Sequence, residues 1–240
     1  MDKSHFNTFI FSNANKIYCY VFCILKNSEQ TIQIVGKTFE ECWHKRKVLS
    51  HSDLTPVFKI ARDLAKKEVN SKIGSGVALN QNDEVDPILI HFCKLLEELA
   101  PIQAEIFCLR SLLRMSIDDI SKIVGLGLNN VQSMLAEARK LIRVQVDPEG
   151  ILKEFSCHEL LTKYYAGSTS IEEEEQLRLY VSRMDLSEIP EIDRELFRMF
   201  LKIGNAEIPI AGSDILRDKM KELQTTKFQR VLAKIKKQSK

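Results

Sequence analysis

The sequence predicts an all-α protein, on three observations. Apolar residues recur at three-and-four spacing through almost every segment. No stretch shows strand-like alternation. The breaks between segments carry helix-ending Gly or Pro and helix-starting Ser, Thr, Asn or Asp. With 44% hydrophobic and 28% charged residues in 240, the chain is an ordinary folding sequence rather than a disordered one, long enough for two or three small domains.

The elements follow in order. In 6–25, Phe6, Phe9, Ile10, Ile17, Tyr20, Val21 and Ile24 fall near one helix face, and Asn27-Ser28 break the run. A second helix over 29–47 aligns Ile32, Val35, Phe39 and Trp43. A third starts at Thr55 as cap, with Pro56 at the first helical position, where a missing N–H costs nothing. The Gly-, Ser-, Asn- and Asp-rich stretch before Pro87 has no period and reads as a linker over 71–87. Helices resume over 88–99 and 102–113. Ser116 followed by Asp118 and Asp119 marks another start, with acids complementing the helix dipole. Gly125 and Gly127 punctuate a turn. The next helix, 128–143, turns Val131, Leu135, Ala138 and Ile142 inward.

A second boundary lies at 146–150 (VDPEG). Beyond it, CHELLTKYYAG suggests a helix ended by Gly167, then Ser170 and Glu173 form a capping box opening an acidic helix. IPEIDRELFRMFLK is amphipathic, NAEIPIAG is irregular, and 215–240 is a basic helix that frays.

Charge is uneven around a net +2. Residues 1–75 balance to +5, 76–146 to −2, 147–216 to −8 and 217–240 to +7. Attraction to nucleic acid is therefore local. Cys19, Cys23, Cys42, Cys93, Cys108 and Cys157 form no C-x-x-C pair and read as buried small hydrophobes. The longest apolar runs fall short of the roughly 20 residues of a membrane span, and the N-terminus lacks a signal-peptide pattern, so the expected location is cytoplasmic. No phosphate loop, nucleophile elbow or H-E-x-x-H appears, so no enzyme is expected and no cofactor. Cys157-His158 alone cannot supply four zinc ligands.

Residues 117–143 have the outline of a helix-turn-helix. A second helix of this kind places its first residues in the major groove, where amides pair with the adenine edge. Asn129, Asn130, Gln132 and Ser133 occupy those positions. Arg139, Lys140 and Arg143, aided by Arg110 or Arg114, would anchor phosphates. A plain helical bundle whose glycine turn is merely a turn is the alternative.

The stretch LAPIQAEIFCLRSLLRMSIDDISKIVGLGLNNVQSMLAEARKLIR (99–143) resembles the helix-turn-helix domain of bacterial sigma factors of the extracytoplasmic-function type. Phe107, Leu109-Arg110, Ile120, Ile123, Gly125, Val131, Ser133, Leu135 and Ala138-Arg139 fit its pattern. More loosely, IVGKTFEECW (34–43) is similar to the family's polymerase-clamp segment, and FKIARDLA (58–65) to the helix engaging the −10 element. The resemblance covers about 60% of the chain.

It implies a promoter-melting and polymerase-binding domain over 1–70, a linker over 71–87, a DNA-binding domain over 88–146 and a helical extension over 147–240, for which a regulatory role is one option. It further implies core RNA polymerase and promoter DNA as partners. Ile34, Val35, Lys37, Phe39 and Trp43 would face polymerase, and Arg62, Lys66 and Lys67 would join the DNA contacts. Departures are specific. Gln33, Gly36 and Lys37 stand where the family has Asp, Gln and Glu; Pro56 replaces a tryptophan; Gln132, Met134 and Glu137 replace basic residues. The electrostatic grip on DNA is therefore expected to be poor, with polymerase tethering compensating. An adapter or antagonist retaining the scaffold is the alternative function.

Within the extension, HELLTKYYAGSTSIEEEEQLRLYVSRMD (158–185) is similar to the start of some anti-sigma proteins. It implies either a partner of anti-sigma kind or a restraint within the chain. Charge balance suggests that its acidic part folds back on the basic N-terminal domain. A fused module for a separate partner is the alternative.

Overall fold

A computed structural model describes residues 3–50, 53–71, 87–146, 159–182 and 191–205. Every regular element among them is helical: α1 (Lys3–Leu25), α2 (Ser28–Lys45), α3 (Thr55–Ser71), α4 (Pro87–Leu95), α5 (Pro101–Ser111), α6 (Ile117–Val124), α7 (Leu128–Val146), α8 (Glu159–Tyr165), α9 (Ile171–Ser182) and α10 (Glu191–Asn205). None is long and apolar enough to cross a membrane. The expected linker lies almost wholly outside the described residues, as do Cys157-His158 and the basic tail.

Local chemistry sets most ends. The Asn27 side chain accepts from the Gln30 N–H at 2.9 Å and starts α2. At α3 the structure departs from expectation. Asp53 accepts the Thr55 N–H at 2.9 Å, while the Thr55 hydroxyl turns to Asp119 of α6 at 3.4 Å. Ser116 accepts from the Asp119 N–H at 3.0 Å, and α6 ends on Gly125 at φ +77°, a conformation that costs other residues roughly 1–2 kcal/mol. Ser170 and Glu173 form the anticipated reciprocal cap, at 2.9 and 3.1 Å.

The expected stripes point inward. Phe6, Phe9, Ile17, Tyr20 and Val21 of α1 are buried, as are Val35, Phe39 and Trp43 of α2 and Val131, Leu135, Ala138 and Ile142 of α7. α1, α2 and α3 pack mutually, and α5, α6 and α7 form the helix-turn-helix. The two groups touch along α1–α5 and α3–α6. One apolar core runs through both and into the extension. There Phe92 (α4), Phe107 (α5) and Phe200 (α10) meet, with Phe107–Phe200 centroids 5.7 Å apart, and Phe197 stands 4.9 Å from Tyr164 of α8. Burying these rings is worth roughly 1.5–3 kcal/mol each, so the extension is built into the core.

Cys19, Cys42, Cys93 and Cys108 are buried and Cys23 is half-buried, all as free thiols. Burial pushes the Cys42 thiol up to about 12, in keeping with a small hydrophobe rather than a nucleophile.

Candidate nucleic-acid interface and the clasp beside it

Helix α7 meets its surroundings on three sides. One side is the core. A second is covered by the α8–α9 hairpin, whose Gly167 lies so close that a β-carbon there would sit 2.6 Å from the Gln132 carbonyl oxygen and 3.3 Å from the Ala136 Cβ. Its φ of +69° also suits glycine. The third side is open and begins at the turn: Asn129, Asn130, Gln132 and Ser133 are exposed, as is Lys140. The four amide- and hydroxyl-bearing residues are thus accessible to solvent at the start of α7. Glu137, also exposed, accepts from the Gln103 amide at 2.9 Å.

Arg139 and Arg143 differ from expectation. Both are buried, at 2% and 6% exposure, and neither side chain is open to a phosphate in this arrangement. The reason is two carboxylates from the extension, Glu174 for Arg139 and Asp193 for Arg143. Glu174, 3% exposed, accepts from Arg139 Nη2 at 2.6 Å, Arg110 Nε at 2.9 Å and the Thr169 hydroxyl at 2.8 Å. Arg139 Nη1 donates to the Tyr164 carbonyl at 2.6 Å, and its guanidinium lies 3.7 Å over the Tyr164 ring. Arg110 also donates to the carbonyls of Met115 and Thr169. Arg178 of α9 reaches the Ser111 carbonyl at 3.0 Å. Arg114 pairs with Glu175 at 3.2 Å, and Arg143 pairs with Asp193 of α10 at 3.0 Å, where Tyr165 also donates.

Burial alone would raise the Glu174 pKa; Arg139, Arg110 and the hydrogen bonds overcome it and hold the carboxyl below its ordinary value. Burial lowers the Arg178 pKa, against the pull of Glu174. The acidic part of the extension therefore engages the helix-turn-helix through named ion pairs. The expectation that it restrains the N-terminal domain is corrected accordingly.

The N-terminal candidates divide similarly. Ile34, Val35, Phe39 and Trp43 are buried, Trp43 with its ring 5.1 Å from Phe6 and the Arg46 guanidinium 4.1 Å above it. Sealed in the core, these four present no surface to a polymerase, contrary to expectation. Lys37 is exposed, as is Lys67. Arg62 and Lys66 are turned toward a carboxylate on α5: both Nε and Nη2 of Arg62 engage Glu105, Lys66 lies 3.3 Å from it, and the Tyr20 hydroxyl donates to it at 2.6 Å. Burial, then the adjacent Glu105 charge, pushes the Tyr20 hydroxyl pKa well up, so it stays a donor.

Sequence reasoning missed Glu105, Glu174, Asp193 and Tyr164. A signal existed for Glu105, a carboxylate set among Ile102, Ile106, Phe107 and Leu109. Such a residue needs buried partners. No group of three or more His, Cys, Asp or Glu suited to a metal occurs among the described residues.

Comparison with known proteins finds two family models along the chain. Residues 94–142 match the family model described as Sigma-70, region 4, and residues 158–208 match that of the anti-sigma factor N-terminal domain. A chain of the co-crystal structure of the sigma factor RpoE in complex with the anti-sigma factor NepR, from Bartonella quintana, is similar at a TM-score of 0.48 and 18% identity, over 59% of this chain and 98% of that one. No curated protein matches the chain.

Proposed function

From a chain that joins a sigma-70 region 4 module to an anti-sigma N-terminal segment, we propose a sigma-like transcription initiation factor that carries its own restraint. It binds core RNA polymerase and reads promoter DNA through Asn129, Asn130, Gln132 and Ser133, with Lys140 and Lys67 as accessible phosphate contacts. Arg139 and Arg143 join once the extension lifts, and Arg62 and Lys66 once Glu105 lets go. Of the polymerase-facing candidates only Lys37 is kept. The division at 1–70, 71–87, 88–146 and 147–240 is retained, the last segment acting as a clasp. The proposed role is cytoplasmic and needs no catalytic chemistry or cofactor.

The observation that carries this reading is the pairing of an exposed amide row on α7 with arginines of the same helix sealed by the extension, Arg139 by Glu174 and Arg143 by Asp193. The test is reconstitution with core polymerase. The full chain should bind polymerase and initiate weakly from a cognate promoter, and Glu174→Gln should initiate more strongly. Exposed Lys37, where the family carries an acid, favours a second reading: an adapter that occupies polymerase. Binding with no initiation from either protein would select that adapter.

A further inference from the structure

We infer that Glu105 is a latch holding the N-terminal helices against the helix-turn-helix, and that the arrangement described here is the closed state of a chain that must open to engage DNA. The inference rests on the proposed promoter role of Arg62 and Lys66 and concerns how those side chains are released.

Three features of the seam support it. The first is the hub itself. Glu105 is 5% exposed on α5, yet its protein partners Tyr20, Arg62 and Lys66 all come from α1 and α3. A buried carboxylate with three donors across a seam joins the two sides only while all are in register; separating them strands a charge. The second is what the hub withholds. Arg62 commits Nε and Nη2 to Glu105, its planar fork being matched to a carboxylate as it would be to a phosphate. Arg62 is thereby diverted from any nucleic acid, while Lys66, 44% exposed, is drawn toward Glu105 at the surface.

The third is a cleft beside the hub. It measures about 510 Å³, is partly open to solvent, and runs along the seam between Tyr20, Cys23, Ile24, Val69, Leu96 and Ala104, with Lys66 and Glu105 at its edge. Beside the apolar core the two groups share, solvent reaches this edge of the seam, and polar pairs cross it there. Besides the hub these include Lys26–Glu97 at 3.3 Å and the Thr55–Asp119 hydrogen bond. Lys26–Glu97 is exposed enough to contribute little. Glu105 thus carries the larger share of the polar holding.

The experiment uses the full chain with Glu105→Gln, Glu105→Arg and the exchange Glu105→Arg with Arg62→Glu. Carbodiimide cross-linking of Lys26 to Glu97, read by mass spectrometry, reports seam closure without touching the hub. Small-angle scattering reports overall separation, circular dichroism the helix content, and duplex binding at several salt concentrations the released cations. The latch predicts at least a fivefold loss of the Lys26–Glu97 cross-link and a larger radius of gyration in both single variants, with helix content kept. The exchange should restore closure. Unchanged cross-linking and scattering in both single variants would overturn the latch. So would unfolding of both, which would make Glu105 a residue that holds the fold. Opening without a gain in DNA affinity leaves the latch standing and removes Arg62 and Lys66 from the proposed promoter contacts. A gain in affinity with the seam still closed overturns the latch instead.

Discussion

Replacing Glu174 by Gln should loosen the clasp by a calculable amount. The substitution keeps shape and one hydrogen-bond acceptor but removes the negative charge between Arg110, Arg139 and Arg178, all nearly inaccessible to water. Removing one partner of a buried ion pair costs about 3–5 kcal/mol. The lower figure applies here, because the amide oxygen still accepts from one guanidinium and Glu175 remains near Arg178 at 3.5 Å. At about 1.4 kcal/mol per decade, 3 kcal/mol corresponds to roughly a hundredfold rise in the open-to-closed ratio. Native-state hydrogen exchange of α8 and α9 reads that ratio directly. Their amides should lose about two orders of magnitude of protection, while those of α2, remote from Glu174, keep theirs. Aromatic packing of Tyr164, Phe197 and Phe200 remains, so the hairpin is expected to open more often without unfolding the protein. Protection of α8–α9 within threefold of the parent would refute the assignment of Glu174 as the clasp's central charge. Equal loss in every helix would show that Glu174 supports the whole fold instead.

Three further outcomes follow from the same geometry. Glu174 titrates lower when clasped than when free, so its contribution is complete above the free value near pH ~4.3 and disappears as pH falls through the lower clasped value; the near-ultraviolet dichroism of Tyr164 and Tyr165 should hold from pH 7 to 5 and fade below about 4, and fading between 7 and 5 would contradict the assignment. Gly167→Ala combines left-handed strain of roughly 1–2 kcal/mol with a clash against the α7 backbone, so α8–α9 should exchange at least tenfold faster, whereas Gly125→Ala, with nothing within 4 Å of the added carbon, should cost only the strain and leave the clasp intact. Asn130→Ala, at an exposed position, should change melting stability by no more than about 0.5 kcal/mol yet weaken promoter discrimination by about 1–3 kcal/mol in polymerase-dependent footprinting; unchanged discrimination would remove Asn130 from the interface.

What the sequence disclosed was governed by range. Ser116, Gly125, and Ser170 with Glu173 act on atoms three to five residues away, so their roles were readable from the chain alone. The inward face of α7 was equally plain, because periodicity records burial. Arg139 and Arg143 were read as phosphate anchors because nothing near them predicts Glu174 and Asp193, which arrive from distant helices. The run of glutamates 172–175 was visible as an acidic patch, but a patch does not say which basic surface it meets. Balance of charge pointed to the N-terminal helices; shape, through Gly167 against α7 and the Phe92–Phe107–Phe200 cluster, directed it to the helix-turn-helix. Phe39 and Trp43 fit a core stripe and a docking face equally well on paper, and their burial decides for the core.

Helix α5 presents Glu105 to one neighbour and Arg110, five positions on, to another. A stimulus acting on either neighbour alone would leave the reading head tethered from the opposite side. On the proposed reading the two contacts act as graded inputs: releasing Glu174 alone raises output, and releasing Glu105 as well raises it further.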